Sequence, residues 1–269
     1  MSEKHVILIH GTWCNGENWG EFATALREQG YTVHTPTWPY HGNPRTHDIW
    51  GNAQQVRTLG LLDYVAGLKT LADSLDSAPI IIGHSVGALI AQLLAARVRC
   101  SGVVLLGPAP TAGMIPIGLS MYKLWARYLP QWIASKPMYP VSFKAWNKYI
   151  CNATPPEVSE AYYATLCAES GTAYRQMILW FLDPSRAARV DFASITAPVL
   201  VITGSRDLCT RPSVGRATVK RYRPGQAAYA ELEGADHMMT TGPFMSRTLE
   251  VIRSWTETND LLPPQKSAV

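Results

Sequence analysis

Residues 83–87 read Gly83-His84-Ser85-Val86-Gly87, a single hydroxyl between two glycines where the apolar run "PIII" meets the apolar run "ALIAQLLAA". A serine at the head of a helix is ordinarily an N-cap. The G-x-S-x-G spacing offers a second role. In it, a strand turns into a helix so tightly that the serine takes unfavourable backbone angles and its neighbours have no room for side chains. The hydroxyl is then exposed at the apex of the turn. The helix behind it aims free N–H groups and the positive end of its dipole at the reacting centre, which suits an oxyanion developing on an acyl carbon.

A serine hydroxyl is inert at its free pKa and needs a general base with an orienting carboxylate. An elbow of this kind takes both from later in the chain, acid before histidine. His237, in "GADHMM", is the sole histidine after Ser85 and is therefore the expected base. Asp207, in "VLVITGSRDLCT", leaves the end of an apolar run, where a rigid strand could hold it against the imidazole. Asp236 could instead cap the turn after it, and Asp183 and Asp191 fall in or near a helical stretch. The expected oxyanion donors are the amides of Val86 and of Thr12, the latter in "LIHGTWCNG", where Gly11 lets the backbone bend. Trp13 and Met238 are the expected substrate contacts. His10 is read as a brace for its loop, and His84 as a packed residue pointing away from the nucleophile. The seven dispersed histidines form no HxH or HExxH pair, and no GxGxxG or GxxxxGK[ST] occurs. Neither a metal nor a cofactor is therefore expected.

These residues must be carried by elements that end close together. Short apolar runs at 5–9, 31–35, 78–83, 102–107, 197–204 and 226–232 read as strands, with helices expected at 19–29, 52–75, 86–99, 211–222 and 243–257. The alternation predicts an α/β fold, a mostly parallel sheet of about six strands flanked by helices. Residues 111–190 break that rhythm. They have no strand-like run, and their helical patterns are interrupted by Pro116, Pro130, Pro137, Pro140 and Pro155-Pro156. This stretch, rich in aromatics such as Trp125, Trp132, Trp146 and Trp180, reads as a helical cap inserted between the fourth and fifth strands. The expected organisation is a core of 1–110 and 191–260, a cap of 111–190 roofing an apolar pocket, and a flexible tail of 261–269.

Of the 269 residues, 47% are hydrophobic and 16% charged, enough apolar content for a sizeable core. A net charge of +4 gives no case for nucleic acid, and the basic stretch "RDLCTRPSVGRATVKRYR" reads as a solvated helix face. No apolar run is long enough to span a bilayer, and the first is too short for a signal peptide. The five cysteines are scattered without a CxxC pair, which favours free thiols in a reducing compartment. A cytoplasmic protein acting on a small molecule, away from membranes, is expected, and its oligomeric state stays open.

Taken together, His10-Gly11 after the first strand, the elbow at 83–87, "GSRD" and "ADHM" resemble the α/β-hydrolase superfamily over nearly the whole chain. Within it, "HGTWCNGENW" and "GADHMM" look like the branch of plant methylesterases, salicylate-binding esterases and hydroxynitrile lyases. The lyases of that branch have a threonine at the position of Gly11 and a lysine at that of Met238, so this chain leans towards the esterases. The resemblance implies a serine esterase or lactonase acting on a small apolar or aromatic ester. Ser85 would be its nucleophile, His237 its base and Asp207 its acid. Two alternatives share the same residues: a hydrolase-fold ligand receptor with little turnover, and a triad-bearing lyase or carbon–carbon bond hydrolase.

Overall fold

The longest apolar runs become strands that are covered on both faces. A computed structural model describes residues 3–115 and 118–264, so Pro116 and residues 265–269 of the expected tail lie outside it. Six parallel strands form the main sheet: β1 (His5–Ile9), β2 (Thr32–His34), β3 (Ile80–His84), β4 (Gly102–Leu106), β7 (Val199–Gly204) and β8 (Ala227–Leu232). Their spatial order is β2-β1-β3-β4-β7-β8. Ile7, Ile9, Ile81, Val103 and Leu105 face one apolar layer. Their neighbours Val6, Leu8, Ile80, Ile82, Val104 and Leu106 face the other. Alternate side chains point to opposite faces, so a strand covered on both sides reads as an unbroken apolar run. Each such side chain contributes roughly 1.5–3 kcal/mol by burial. The edge strand β2 is only half-buried.

Helices cover the sheet: α1 (Gly20–Glu28), α2 (Ile49–Val56), α3 (Leu61–Asp73), α4 (Val86–Ala95), α10 (Pro212–Val219) and α11 (Met245–Thr258). All ten residues of α4 are buried, which accounts for its lack of a polar face. The single helix expected over 52–75 is two, α2 and α3. Gly60 is extended (φ −98°, ψ 173°), and its N–H donates to the Asp63 carboxylate at 2.7 Å. Buried apolar residues continue on both sides of the break, but the step from Val56 to Leu61 is five, out of phase with the three- and four-residue steps to Tyr64 and Leu68. Among the described residues no helix is long and apolar enough to cross a membrane.

Between β4 and β7 lie α5 (Leu119–Trp125), α6 (Leu129–Ile133), α7 (Phe143–Tyr149), α8 (Pro156–Tyr163) and α9 (Gly171–Ile178). The region also holds a two-stranded antiparallel ladder of β5 (Pro137–Met138) with β6 (Glu169–Ser170). No strand was expected here. Two residues per strand are too few to show a period of two.

A buried carboxylate ties this cap to the core. Glu169 Oε1 accepts from Tyr64 Oη at 2.8 Å, from its neighbour's amide (Ser170 N) at 2.7 Å and from His41 Nε2 at 3.3 Å. His41 Nδ1 lies 3.0 Å from the Pro39 carbonyl, so each ring nitrogen has an oxygen acceptor beside it. Neither side chain of the pair exceeds 1% exposure, and Glu169 Oε2 has no hydrogen-bond partner. A buried pair of this kind is strongly destabilised by loss of one member, but much less by apolar replacement of both. Glu169→Leu is therefore expected to lower stability by about 3–5 kcal/mol in urea denaturation, and the double variant His41→Leu/Glu169→Leu by less than that single one. Additive losses would show that the pair does not act as a unit.

Candidate active site

The elbow takes its shape from missing side chains. Ser85 sits between β3 and α4 at φ +58°, ψ −122°, and its side chain makes no cap hydrogen bond to the helix that follows. A Cβ on Gly83 would collide with the Gly87 carbonyl, and one on Gly87 with the carbonyls of Ile9 and His10. The Ser85 amide donates to Leu106 O at 2.9 Å, fixing the turn against β4. The N-cap reading of this serine is thus not what its hydroxyl does. Ser85 instead lines a cavity.

The loop after β1 enters the same cavity. His10 Nε2 faces the Trp38 amide at 3.3 Å, so it must accept, and Nδ1 must then be the nitrogen that donates to the Gly11 carbonyl at 3.1 Å. Burial, and next the neighbouring His41, hold the His10 pKa well below its usual range, so the ring stays neutral. The Cys14 amide donates to the same Gly11 carbonyl at 3.2 Å. With that carbonyl held twice, the trans Gly11–Thr12 peptide presents the Thr12 N–H on its opposite side. The Thr12 hydroxyl is hydrogen-bonded to Tyr174 of the cap. Trp13, at φ +64°, donates from its indole to Met138 O at 3.1 Å.

His237 and Asp207 meet from the ends of β8 and β7. His237 Nδ1 lies 2.7 Å from Asp207 Oδ2, and both side chains are buried. The other carboxylate oxygen, Asp207 Oδ1, accepts the amides of Cys209 and Thr210, each at 2.8 Å. The Thr210 hydroxyl donates to Gly107 O at 2.9 Å and lies 3.2 Å from His237 Nδ1. Burial is the largest single influence and would pull the His237 pKa down, but the Asp207 carboxylate and, after it, the Cys209 side chain together carry the net shift well above the usual 6.5. Cys209, also buried beside the ring, is kept a neutral thiol by that burial. Ser85 Oγ makes no hydrogen bond to His237 among the described residues, although both line one cavity. Bonds of this kind are often long until substrate is bound.

His84 does not simply point away. Its Nε2 donates to the His237 carbonyl at 2.9 Å and its ring centroid lies 4.7 Å from that of His237. Burial lowers its pKa to about 3, leaving it neutral beside the His237 ring. Asp236 does bond to the turn that follows it, through the Met238 amide at 2.9 Å. Its second oxygen accepts the amides of Ala153 and Thr154, both at 2.7 Å, so the residue before His237 clamps the cap. Asp183 and Asp191 bond locally, to Ser185 and Ser194, and lie apart from the site. Val86 opens α4 directly behind the serine, and Met238 and Trp13 are buried in the cavity wall.

Two cavities meet at Ser85. One offers about 20 Å³ for the centre of a water-sized group and the other about 320 Å³. The larger is roofed by the cap, with Met121, Trp125, Leu129, Trp132 and Met177 in its wall. Thr210, Tyr174 and the clamp of Asp236 were not anticipated from sequence. Thr210 alone left a trace there, a D-x-x-T turn just ahead of the helix-opening Pro212.

A strained serine on a strand–helix elbow, followed in order by an aspartate and a histidine at strand ends, is the arrangement of α/β-hydrolases. A model of the Alpha/beta hydrolase family matches residues 6–253, and the chain belongs to that family. A monoacylglycerol lipase of Mycolicibacterium smegmatis is 24% identical over 259 residues, covering 93% of this chain and 86% of the relative. The crystal structure of a monoacylglycerol lipase from Paleococcus ferrophilus superposes with a TM-score of 0.69 at 19% identity, over 96% of this chain and 97% of that one. A methylesterase from Arabidopsis gives 0.68 at 14% identity, over 94% and 99%. At these identities the two superpositions establish the fold.

The electrostatics at His237 give a direct test. In an NMR titration its imidazole is expected to titrate above pH 6.5. In Asp207→Asn the midpoint should fall below 6.5, because burial remains while the opposing charge is gone. An unchanged midpoint would remove Asp207 as the cause.

Proposed function

We propose that this chain is a serine hydrolase that cleaves carboxylic esters or lactones with apolar or aromatic substituents through an acyl-enzyme. One observation carries the reading. A serine in strained backbone, making no cap, shares a cavity with a buried histidine that an aspartate holds by its far nitrogen. Ser85 Oγ attacks the ester carbonyl while His237 takes its proton, and Asp207 stabilises the imidazolium and fixes its orientation. The oxyanion is held by the Thr12 N–H, oriented by His10, and by the Val86 N–H at the head of α4. His237 then gives its proton to the departing alcohol oxygen. Water, activated by the same imidazole, resolves the acyl-enzyme and regenerates Ser85.

The relatives named above, a lipase and a methylesterase, support ester chemistry. The cavity wall of tryptophans and methionines supports an apolar substrate. All five cysteines are free, which fits the reducing interior of a cell.

Ser85→Ala is expected to reduce hydrolysis of a short-chain p-nitrophenyl ester by on the order of 10⁴-fold or more, with an unchanged Tm. A fluorophosphonate should label the wild type at Ser85 and leave the variant unlabelled. Undiminished hydrolysis by purified Ser85→Ala would end the proposal. The base must be neutral to act, so the acid limb of kcat/KM should follow the raised His237 midpoint, with activity climbing as pH rises through it.

A further inference from the structure

Ser85 and His237 follow different strands, yet both are tied to the end of β4. The Ser85 amide donates to Leu106 O at 2.9 Å. The next carbonyl, that of Gly107, accepts from the Thr210 hydroxyl at 2.9 Å. Thr210 Oγ1 in turn lies 3.2 Å from His237 Nδ1 and 3.1 Å from Asp207 Oδ2. Gly107 is buried at φ +48°, and a Cβ there would stand 3.1 Å from His237 Nδ1 and 3.3 Å from Asp207 Oδ2. A glycine lets the strand end come this near the pair.

A threonine hydroxyl has one proton, and here it has three neighbours. Gly107 O and Asp207 Oδ2 can only accept, whereas the Nδ1–H of His237 donates. Among the described residues no other hydrogen bond reaches the Gly107 carbonyl, and a buried carbonyl without a donor is costly. Asp207 Oδ2 already has the imidazole at 2.7 Å. The single proton therefore goes to Gly107 O, and the Thr210 oxygen turns its lone pairs to Nδ1–H. That N–H is shared by two acceptors, the charged Asp207 Oδ2 and the neutral Thr210 Oγ1. Thr210 is itself fixed by its amide, which donates to Asp207 Oδ1 at 2.8 Å.

We infer that Thr210 is a positioning residue for the base, accepting from His237 Nδ1–H and tying the ring to the strand end that also fixes the nucleophile. This rests on the hydrolase reading above. Thr210 neither gains nor loses a proton over the cycle. Its oxygen favours the imidazolium that forms when Ser85 is deprotonated. Two acceptors on one N–H also resist rotation of the ring, which keeps Nε2 placed for the proton of Ser85. The other groups facing the ring are Asp207 and Cys209 from the loop after β7 and the neutral His84 at the end of β3.

Thr210→Val keeps the shape of the side chain and removes its oxygen. Its kcat on a short-chain p-nitrophenyl ester is expected to fall about tenfold or more, with KM changed by less than about twofold. In an NMR titration the His237 midpoint should fall by about one unit, because an acceptor for Nδ1–H is gone. The acid limb of kcat/KM should move to lower pH with it. Thr210→Ser, which keeps the hydroxyl, should restore both kcat and midpoint. A midpoint that rises in Thr210→Val would show that the hydroxyl donates to Asp207 and overturn the assignment. An unmoved midpoint, or a loss of kcat that Thr210→Ser does not repair, would overturn it too. The wild type decides the matter if Thr210→Val folds poorly. A scalar coupling across the hydrogen bond from the Thr210 hydroxyl proton to the Gly107 carbonyl carbon supports the assignment, and one to the Asp207 carboxylate carbon overturns it. These spectra need no turnover. A midpoint that behaves as stated in a protein that cleaves no ester and takes no fluorophosphonate would sink the hydrolase reading and leave the hydrogen-bond assignment standing.

Discussion

Where β3 turns into α4, the backbone passes so near to itself and to the end of β1 that Gly83 and Gly87 can bear no side chain. That approach forces Ser85 to φ +58° and brings the His10–Cys14 loop alongside it. The bond from the Ser85 amide to Leu106 ties in β4 as well. Three neighbouring strands therefore end at one point, with the carboxyl ends of β7 and β8 delivering Asp207 and His237 beside them. Open parallel sheets gather their functional loops at this edge. Here the gathering is held by contacts between backbones, which leave no slack.

The cap is fastened on both sides of that point by carboxylates. Glu169, from β6, reaches Tyr64 and His41 of the core, and His41 packs near Trp38 and His10. Asp236, from the core, reaches the amides of Ala153 and Thr154. Both acids are almost fully buried, where a polar group is costly unless it is hydrogen-bonded. Asp236 is saturated. Glu169 keeps one oxygen without a partner, so the two fastenings differ in how completely they offset desolvation.

The four central strands were legible because burial on both faces leaves an unbroken apolar signature. Ser85 and Asp207 were legible because each follows such a run, and His237 because it is the sole histidine after Ser85. The break at Gly60 left only a faint trace, one five-residue step from Val56 to Leu61 within a stretch that is apolar on both sides. Glu169 was hidden for a different reason. A lone glutamate in "CAESG" carries no sign of its surroundings, since Tyr64 and His41 lie more than a hundred residues earlier. Trp125 and Tyr174 likewise had no legible place, because the period of a cap helix says nothing about how it lies across the sheet. His84 was read as turned away from the site, but its ring reaches beneath His237.

The clamp made by Asp236 recognises peptide groups. Its strongest partners in the cap are the main-chain amides of Ala153 and Thr154, which almost any residue would supply. The Thr154 hydroxyl adds bonds to the same carboxylate at 2.9 and 3.1 Å, so the attachment depends on sequence at that one position only. Cap residues around Thr154 can diverge with little loosening of their hold on the segment that carries His237, so the fold can exchange one roof for another while that segment stays in place.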